Sequence, residues 1–271
     1  MIAPVIGIVL LIAGLAVVVV FVLRRRFAAH LDALESQTRR SDTATGPRAD
    51  LPPEVAALAA RMGARSDGGA HFAVFEQTGQ MWAAPGGKPM NFKARQTVHI
   101  STTEFIWRAT MALPSGMMIA DYLVGGTGGL EVKLLGAFPI ARMVGGADAA
   151  QGEALRYLAE LPLNPDAILA NRALEWTVVD PKTIRVATGV GAARGEVTLD
   201  LDERGLVVGM NASSRIYAEK KGVTTRHPWR GRFWDYQSIG GRFIPLQGEV
   251  AWVLETGDFI YWRGRILSWK T

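Results

Sequence analysis

The chain opens with a single uninterrupted apolar block, and the periodicity changes as soon as that block ends. Ile2–Leu23 is 22 residues without a charge, and 16 of them are Val, Ile, Leu or Phe. As a helix it would reach roughly 33 Å, enough to cross a hydrocarbon core of about 30 Å. The apolar side chains together favour insertion by about 5–10 kcal/mol. A cleaved signal peptide would need basic residues before the block, a shorter apolar run and a small-x-small site after it. Instead Arg24, Arg25 and Arg26 follow directly. Residues 1–23 are therefore predicted to be a retained transmembrane helix, with residues 2–23 in contact with the lipid bilayer. No Lys or Arg precedes the block and three follow it, so the positive-inside rule places the C-terminal domain in the cytoplasm. Residues 24–50 are read as a juxtamembrane segment and flexible linker. Arg24–Gln37 suits a short helix with its charges at the headgroups, and Ser41–Asp50 is rich in Ser, Thr, Gly, Pro and Asp.

From residue 51 the pattern is that of one β-rich domain, 51–271. Val55, Leu58, Ala59 and Met62 stand at helical spacing after Pro52-Pro53, which predicts a short amphipathic helix. The period then becomes two. Five β-prone runs lie between His71 and Leu135, separated by turn formers such as Pro85-Gly86-Gly87, Pro114-Ser115-Gly116 and Gly125-Gly126-Thr127-Gly128-Gly129. Ala154, Tyr157, Leu158 and Leu161 return to helical spacing, Pro162 stops that helix, and Asn164-Pro165 opens a second short one through Ala170. Seven further β-prone runs occupy Leu174–Trp269. The predicted class is α+β: one transmembrane helix, then a large curved antiparallel sheet (a half-barrel of about 11–12 strands) with a helical lid inserted at about 150–170. So many strands must curl, and the hollow needs a cover. A closed barrel with a helix across one end is the alternative.

Composition narrows the chemistry. The chain has no cysteine, which removes disulfides, thiolate nucleophiles and Cys-ligated metals. Net charge is +5 overall, but residues 51–271 hold 24 basic against 21 acidic side chains, so the domain does not carry the charge of a nucleic-acid-binding protein. His30, His71, His99 and His227 are scattered, without metal-ligand spacing. Neither glycine run ends in the Gly-Lys-Ser/Thr of a phosphate loop, and both read as hairpin turns. No cofactor and no metal are expected.

Gly152-Glu153-Ala154-Leu155-Arg156-Tyr157-Leu158-Ala159-Glu160 is followed by Pro162 and Pro165. With Trp107-Arg108-Ala109, Asp121-Tyr122, Trp176 and Trp229-Arg230-Gly231, this segment resembles an uncharacterised bacterial family of single-span membrane proteins with a domain of unknown function. The resemblance covers roughly 51–271 and implies a bacterial inner membrane location but no activity. The strand–helix–strand order is also similar to the curved half-barrels of outer-membrane lipoprotein carriers, which hold an acyl chain between a bent sheet and a helical lid. Those carriers work in the periplasm, so this likeness and the arginines imply opposite sides of the membrane.

Three features bear on function. On the Glu153–Arg156–Glu160 face, Arg156 can pair with an acid at i−3 and another at i+4, either as a solvated face or at the mouth of the hollow. Ten aromatic residues crowd between Trp229 and Trp269, and Phe259/Tyr261 alternate with Ile260/Trp262, so both faces of the last strand carry apolar bulk. Lys220, Lys221, Arg226, Arg230 and Arg232 interleave with Trp229, Phe233 and Trp234, as a solvated hairpin or a headgroup contact. The favoured reading is a non-enzymatic binding protein for an apolar or lipid-like small molecule, with Glu153, Arg156, Tyr157, Trp229, Trp252 and Trp262 as ligand-binding residues and no nucleic-acid partner. An enzyme using Asp121, Glu153, Arg156 or Asp235 as acids and bases, or a tethered protein–protein module, are the alternatives.

Overall fold

The computed structural model describes residues 2–40, 46–65, 71–112, 116–218 and 224–271. Its organising element is one antiparallel sheet of thirteen strands with a simple topology. Strands β1 (Phe72–Met81), β2 (Met90–His99), β3 (Phe105–Met111), β4 (Met117–Val124), β5 (Thr127–Leu134) and β6 (Phe138–Val144) form one meander. Strands β7 (Glu175–Asp180), β8 (Thr183–Thr188), β9 (Gly195–Leu201), β10 (Val207–Ala218), β11 (Thr224–Ile239), β12 (Arg242–Leu254) and β13 (Gly257–Lys270) form the second. The two join where β1 pairs with β13, so β6 and β7 become the two edges. These edges do not pair with each other, and the closed-barrel alternative is set aside. The strand beyond the expected 11–12 is β6. It contains Pro139, which an edge strand tolerates.

The chain between the two edges crosses the concave side. Helix α3 (Gly146–Ala159), a 3-10 turn at Leu161–Leu163 and helix α4 (Pro165–Ala170) carry it from β6 to β7. Helix α3 touches β4 and β5 on one arm of the sheet and β8, β9 and β10 on the other, so it is a strap spanning the curl. Two glycines allow this. A Cβ on Gly128 of β5 would lie 2.5 Å from the Ala149 carbonyl, and one on Gly195 of β9 would lie 3.1 Å from the Leu155 nitrogen. Each arm therefore meets the strap backbone at a residue without a side chain. This is the second duty of the run Gly125–Gly129. Its first two glycines make the β4–β5 turn at φ +56° and +74°, while Gly128 admits the helix.

Below the strap lies the core, with Phe75, Phe105, Trp107, Leu158, Ile168, Ile244 and Trp269 all buried. Helix α2 (Pro53–Arg61) closes one end with the expected Val55, Leu58, Ala59 and Met62. The strap is tied down by Asp166 of α4, whose two carboxylate oxygens each accept a 2.7 Å hydrogen bond from Arg242 of β12 while one also accepts from the Arg65 backbone N–H. The Arg242 guanidinium stacks over Trp269, whose indole N–H donates to the Leu163 carbonyl at 2.9 Å.

The opposite, convex face carries helix α1 (Ile2–Arg40), which runs unbroken from the apolar block through the residues expected as a juxtamembrane segment. It is the one helix among the described residues long and apolar enough to cross a membrane, and its apolar half packs against nothing. Its second half is an amphipathic docking element. Phe27 and Leu31 are buried against Ile106, Ala120, Tyr122 and Val124. Arg108 pairs with Asp32 and Glu35, and Thr97 donates to Glu35. Asp32 and Glu35 of the expected juxtamembrane helix therefore bind the sheet, because the i, i+4 stripe of Phe27 and Leu31 turns them towards it, while Arg24, Arg25 and Arg26 are exposed. Residues 41–45 of the expected linker lie outside the described residues. At its far end Arg48 donates to the Asn171 and Leu174 carbonyls at 3.0 and 2.5 Å.

Truncating Asp166 strands a buried guanidinium, which typically costs about 3–5 kcal/mol. D166A should lower the thermal unfolding midpoint by roughly 10 °C for a domain of this size. The double variant D166A/R242L should recover most of that loss, as measured by circular dichroism.

Candidate functional site

The strap does not fill the curl. Beneath the C-terminal half of α3 a hollow of about 100 Å³ lies between that helix and the central strands. Its walls are largely apolar and include Met81, Ile119, Leu130, Met210, Trp229 and Trp262. Pairing register explains the choice of strand positions. Trp107, Asp121 and Leu130 stand directly opposite one another on β3, β4 and β5, so their side chains share one face. Gly79, Gly264 and Gly248 are likewise opposite on β1, β13 and β12, and the absence of side chains there makes room for Phe92, Trp262 and Phe233.

One side of the hollow is floored by a continuous polar network. The Trp107 indole donates to Gln77 at 2.8 Å, Gln77 to Gln96 at 3.4 Å, and Gln96 to Glu160. Arg156 donates to Glu160 at 3.0 Å and also to Asp121, with its guanidinium 4.8 Å from the centre of the Trp107 ring. Beyond Asp121 lies Glu153, then Arg215 of β10 at 4.0 Å. Arg215 donates to the Tyr261 hydroxyl at 3.3 Å and lies 4.3 Å over the Trp229 ring, and the Trp229 indole donates to that same hydroxyl.

Electrostatics within this network centre on Glu153. It is only 2% exposed. Burial, then the neighbouring Asp121 charge, pushes its carboxyl well above the usual range against the pull of Arg215 and Arg156. Glu153 Oε2 and Asp121 Oδ1 have no other hydrogen-bond partner among the described residues. A proton on Glu153, donated to Asp121, satisfies both atoms. Burial disfavours the Arg156 cation, but the Glu160 and Asp121 charges outweigh it and raise its affinity for the proton. With Glu153 neutral, Arg156 and Arg215 balance Asp121 and Glu160, so the floor is polar without a net charge.

Of the residues singled out from the sequence, Arg156, Trp229 and Trp262 line the hollow. Glu153 stands behind Asp121. Tyr157 turns away into the core, donating to the His99 carbonyl and accepting from Asn171. Trp252 packs against Tyr217 and Tyr261 beside the hollow. The Glu153–Arg156–Glu160 face is not solvated, because a strap inside a curl is enclosed on nearly all sides. Asp235 does not itself line the hollow; it accepts from Gln237 and from the lining residue Gln247, with Arg265 at 3.6 Å. The apparent apolar bulk on both faces of β13 comes from a bulge opposite Val250/Ala251, which re-phases the strand so that Phe259, opposite Trp252, and Trp262, opposite Val250, point the same way. The basic–aromatic stretch separates too. Trp229 and Phe233 face the core, while Arg226, Arg230 and Arg232 pair with Asp148, Asp258 and Glu249. Lys220 and Lys221 lie outside the described residues. Asp121 was legible as a candidate acid. Arg215, with ordinary residues on either side in sequence, gave no signal.

The proton on Glu153 makes stability depend on pH. Above pH 4.5 the unfolded chain releases it while the folded protein keeps it, so its contribution is full at low pH and fades as pH rises through the raised native value. E153Q keeps a neutral donor towards Asp121. Between pH 5 and 9 the wild-type urea midpoint should fall relative to that of E153Q, and parallel pH profiles would contradict the assignment.

No curated protein matches the sequence. Two solved structures are similar to it in fold. A LolA superfamily protein from Nitrosomonas europaea shares 11% identity at a TM-score of 0.43, with 81% of this chain and 94% of that one covered. A DUF1329 family protein from Desulfovibrio piger shares 12% identity at 0.42, with 80% and 91% covered. Residues 43–264 match the model described as "Family of unknown function (DUF6544)", and the chain belongs to that family.

Proposed function

We propose that this protein is a membrane-tethered binding protein that holds an apolar or lipid-like molecule between its curved sheet and the α3 strap. The observation that carries this reading is the hollow itself: apolar walls, an open mouth and a charge-balanced polar floor along one side, the usual make-up of a site for a largely apolar ligand. The tether is α1. Its apolar half packs against nothing, and the three arginines that follow support a domain on the cytoplasmic side. Three carboxylates line the hollow, Asp121, Glu160 and Glu249, and each is paired with an arginine, the first two with Arg156 and the third with Arg263, which supports an ion-paired wall and floor rather than a free acid–base pair.

The full chain, purified in mild detergent, should bind a fluorescent fatty-acid probe, and long-chain lipids should displace it. Leu130→Trp adds bulk at the wall from a half-buried position, so it should weaken probe binding by about tenfold, equivalent to about 1.4 kcal/mol, while the unfolding midpoint holds. A chain that binds no probe and carries no lipid in native mass spectrometry would overturn the reading. For location, a C-terminal reporter active only in the cytoplasm should give signal, and one active only outside it should be silent.

A further inference from the structure

The hairpin joining β5 to β6 has no role in the hollow, and it breaks two rules of soluble hairpins. Its tip is apolar and open to solvent: Leu134 is 36% exposed, Leu135 43%, Phe138 45% and Ile140 59%. Scattered exposed leucines are ordinary, but four large apolar side chains within seven residues of an edge hairpin form a contiguous patch. The second irregularity is Leu135, whose φ is +56°. That left-handed backbone normally falls to glycine or asparagine, and a branched aliphatic residue there is strained. Neither feature helps the domain fold, since glycine or asparagine would turn the chain with less strain and a polar tip would be better solvated.

Position supplies the reason. The Gly136 backbone lies against the Arg24 side chain, the first residue after the uncharged block of α1. Lys133 stacks over Phe27 at 3.9 Å, and Arg26, Lys133 and Arg142 line a niche between α1 and the hairpin with Glu131 as its one acid. The apolar tip therefore continues the apolar helix at its exit point, with Arg24, Arg26, Lys133 and Arg142 beside the junction, the last two also 3.9 and 3.8 Å from Glu131. Apolar residues at the level where a membrane helix ends, with cations at their rim, suit a bilayer surface carrying anionic headgroups.

We propose that the β5–β6 hairpin is a second membrane contact, inserting Leu134, Leu135, Phe138 and Ile140 into the headgroup–acyl boundary beside α1. This rests on α1 being the tether. Two contacts, rather than one, would fix the orientation of the domain on the bilayer.

The chain has no cysteine, so single labels can be placed without background. L135C, F138C and, as a control, V190C (84% exposed on the β8–β9 connection) would each carry an environment-sensitive fluorophore. Each full chain is reconstituted into phosphatidylcholine–phosphatidylglycerol vesicles. The labels at 135 and 138 should shift to shorter wavelength and be quenched by bromine-bearing lipids, while the label at 190 stays aqueous. In the F138C background, Leu135→Asn, which suits the left-handed turn, should preserve folding and reduce the quenching. Labels at 135 and 138 that remain aqueous on a chain that floats with the vesicles would overturn the hairpin contact and leave the tether intact. Labels shielded from water yet unreached by the lipid quencher would mean a protein covers the hairpin, which also overturns it. A chain that does not float with vesicles would remove both proposals.

Discussion

The structure depends on a helix lying across an open sheet. A thirteen-strand antiparallel sheet with unpaired edges has no intrinsic reason to hold one curvature, since its twist accumulates strand by strand. The chain meets this constraint by leaving the sheet at one edge, crossing the concave side as α3 and re-entering at the other edge. Because both arms pack on the same helix, their separation is set by the helix diameter. Glycines at 128 and 195 bring the arms onto the helix backbone, so a side chain at either position would force the curl wider.

The buried polar network follows from that arrangement. A helix with an arm on each side has no solvent-facing surface to spare, so the polar residues of α3 must be satisfied inward. Arg156 finds Asp121 and Glu160, and Glu153 finds Asp121 through a proton. Fully ionised, the group would bury an excess negative charge, and the neutral Glu153 removes it. The same strap that requires this network also leaves the hollow, since its helix ends at Ala159 and the 3-10 turn that follows is drawn towards α2 and β12 by the Asp166–Arg242 pair and the Trp269–Leu163 hydrogen bond. Shape and polarity of the site thus have one origin.

Much of this was legible in the sequence, and the failures have physical causes. Helix α2, the helical insert and twelve of the strands follow from periods of 3.6 and two, which are local properties of an amphipathic element. Strand β6 has no counterpart among the β-prone runs; it contains Pro139, which only an edge strand tolerates, and being an edge is a property of the whole sheet. The last strand was read as apolar on both faces because alternation assumes an unbroken register, and the bulge between Phe259 and Trp262 breaks it. The Glu153–Arg156–Glu160 face was weighed as a solvated stripe because charged residues on a helix normally are. Nothing within the helix tells that a second arm of sheet covers it.

By itself, the sequence determined the apolar N-terminal helix, the α+β class, the strap's position in the chain and the residue types available to a site. These depend on side chains within a few positions of one another. Only the tertiary structure decided that Asp121, Glu153, Arg156 and Arg215 meet on one floor, that Tyr157 and Trp252 stand aside, and that Phe27 and Leu31 dock α1 on the outside of the sheet. Those contacts join residues far apart in the chain, and their partners are chosen by strand register and by which arm reaches the strap. A single strand or helix carries no record of either.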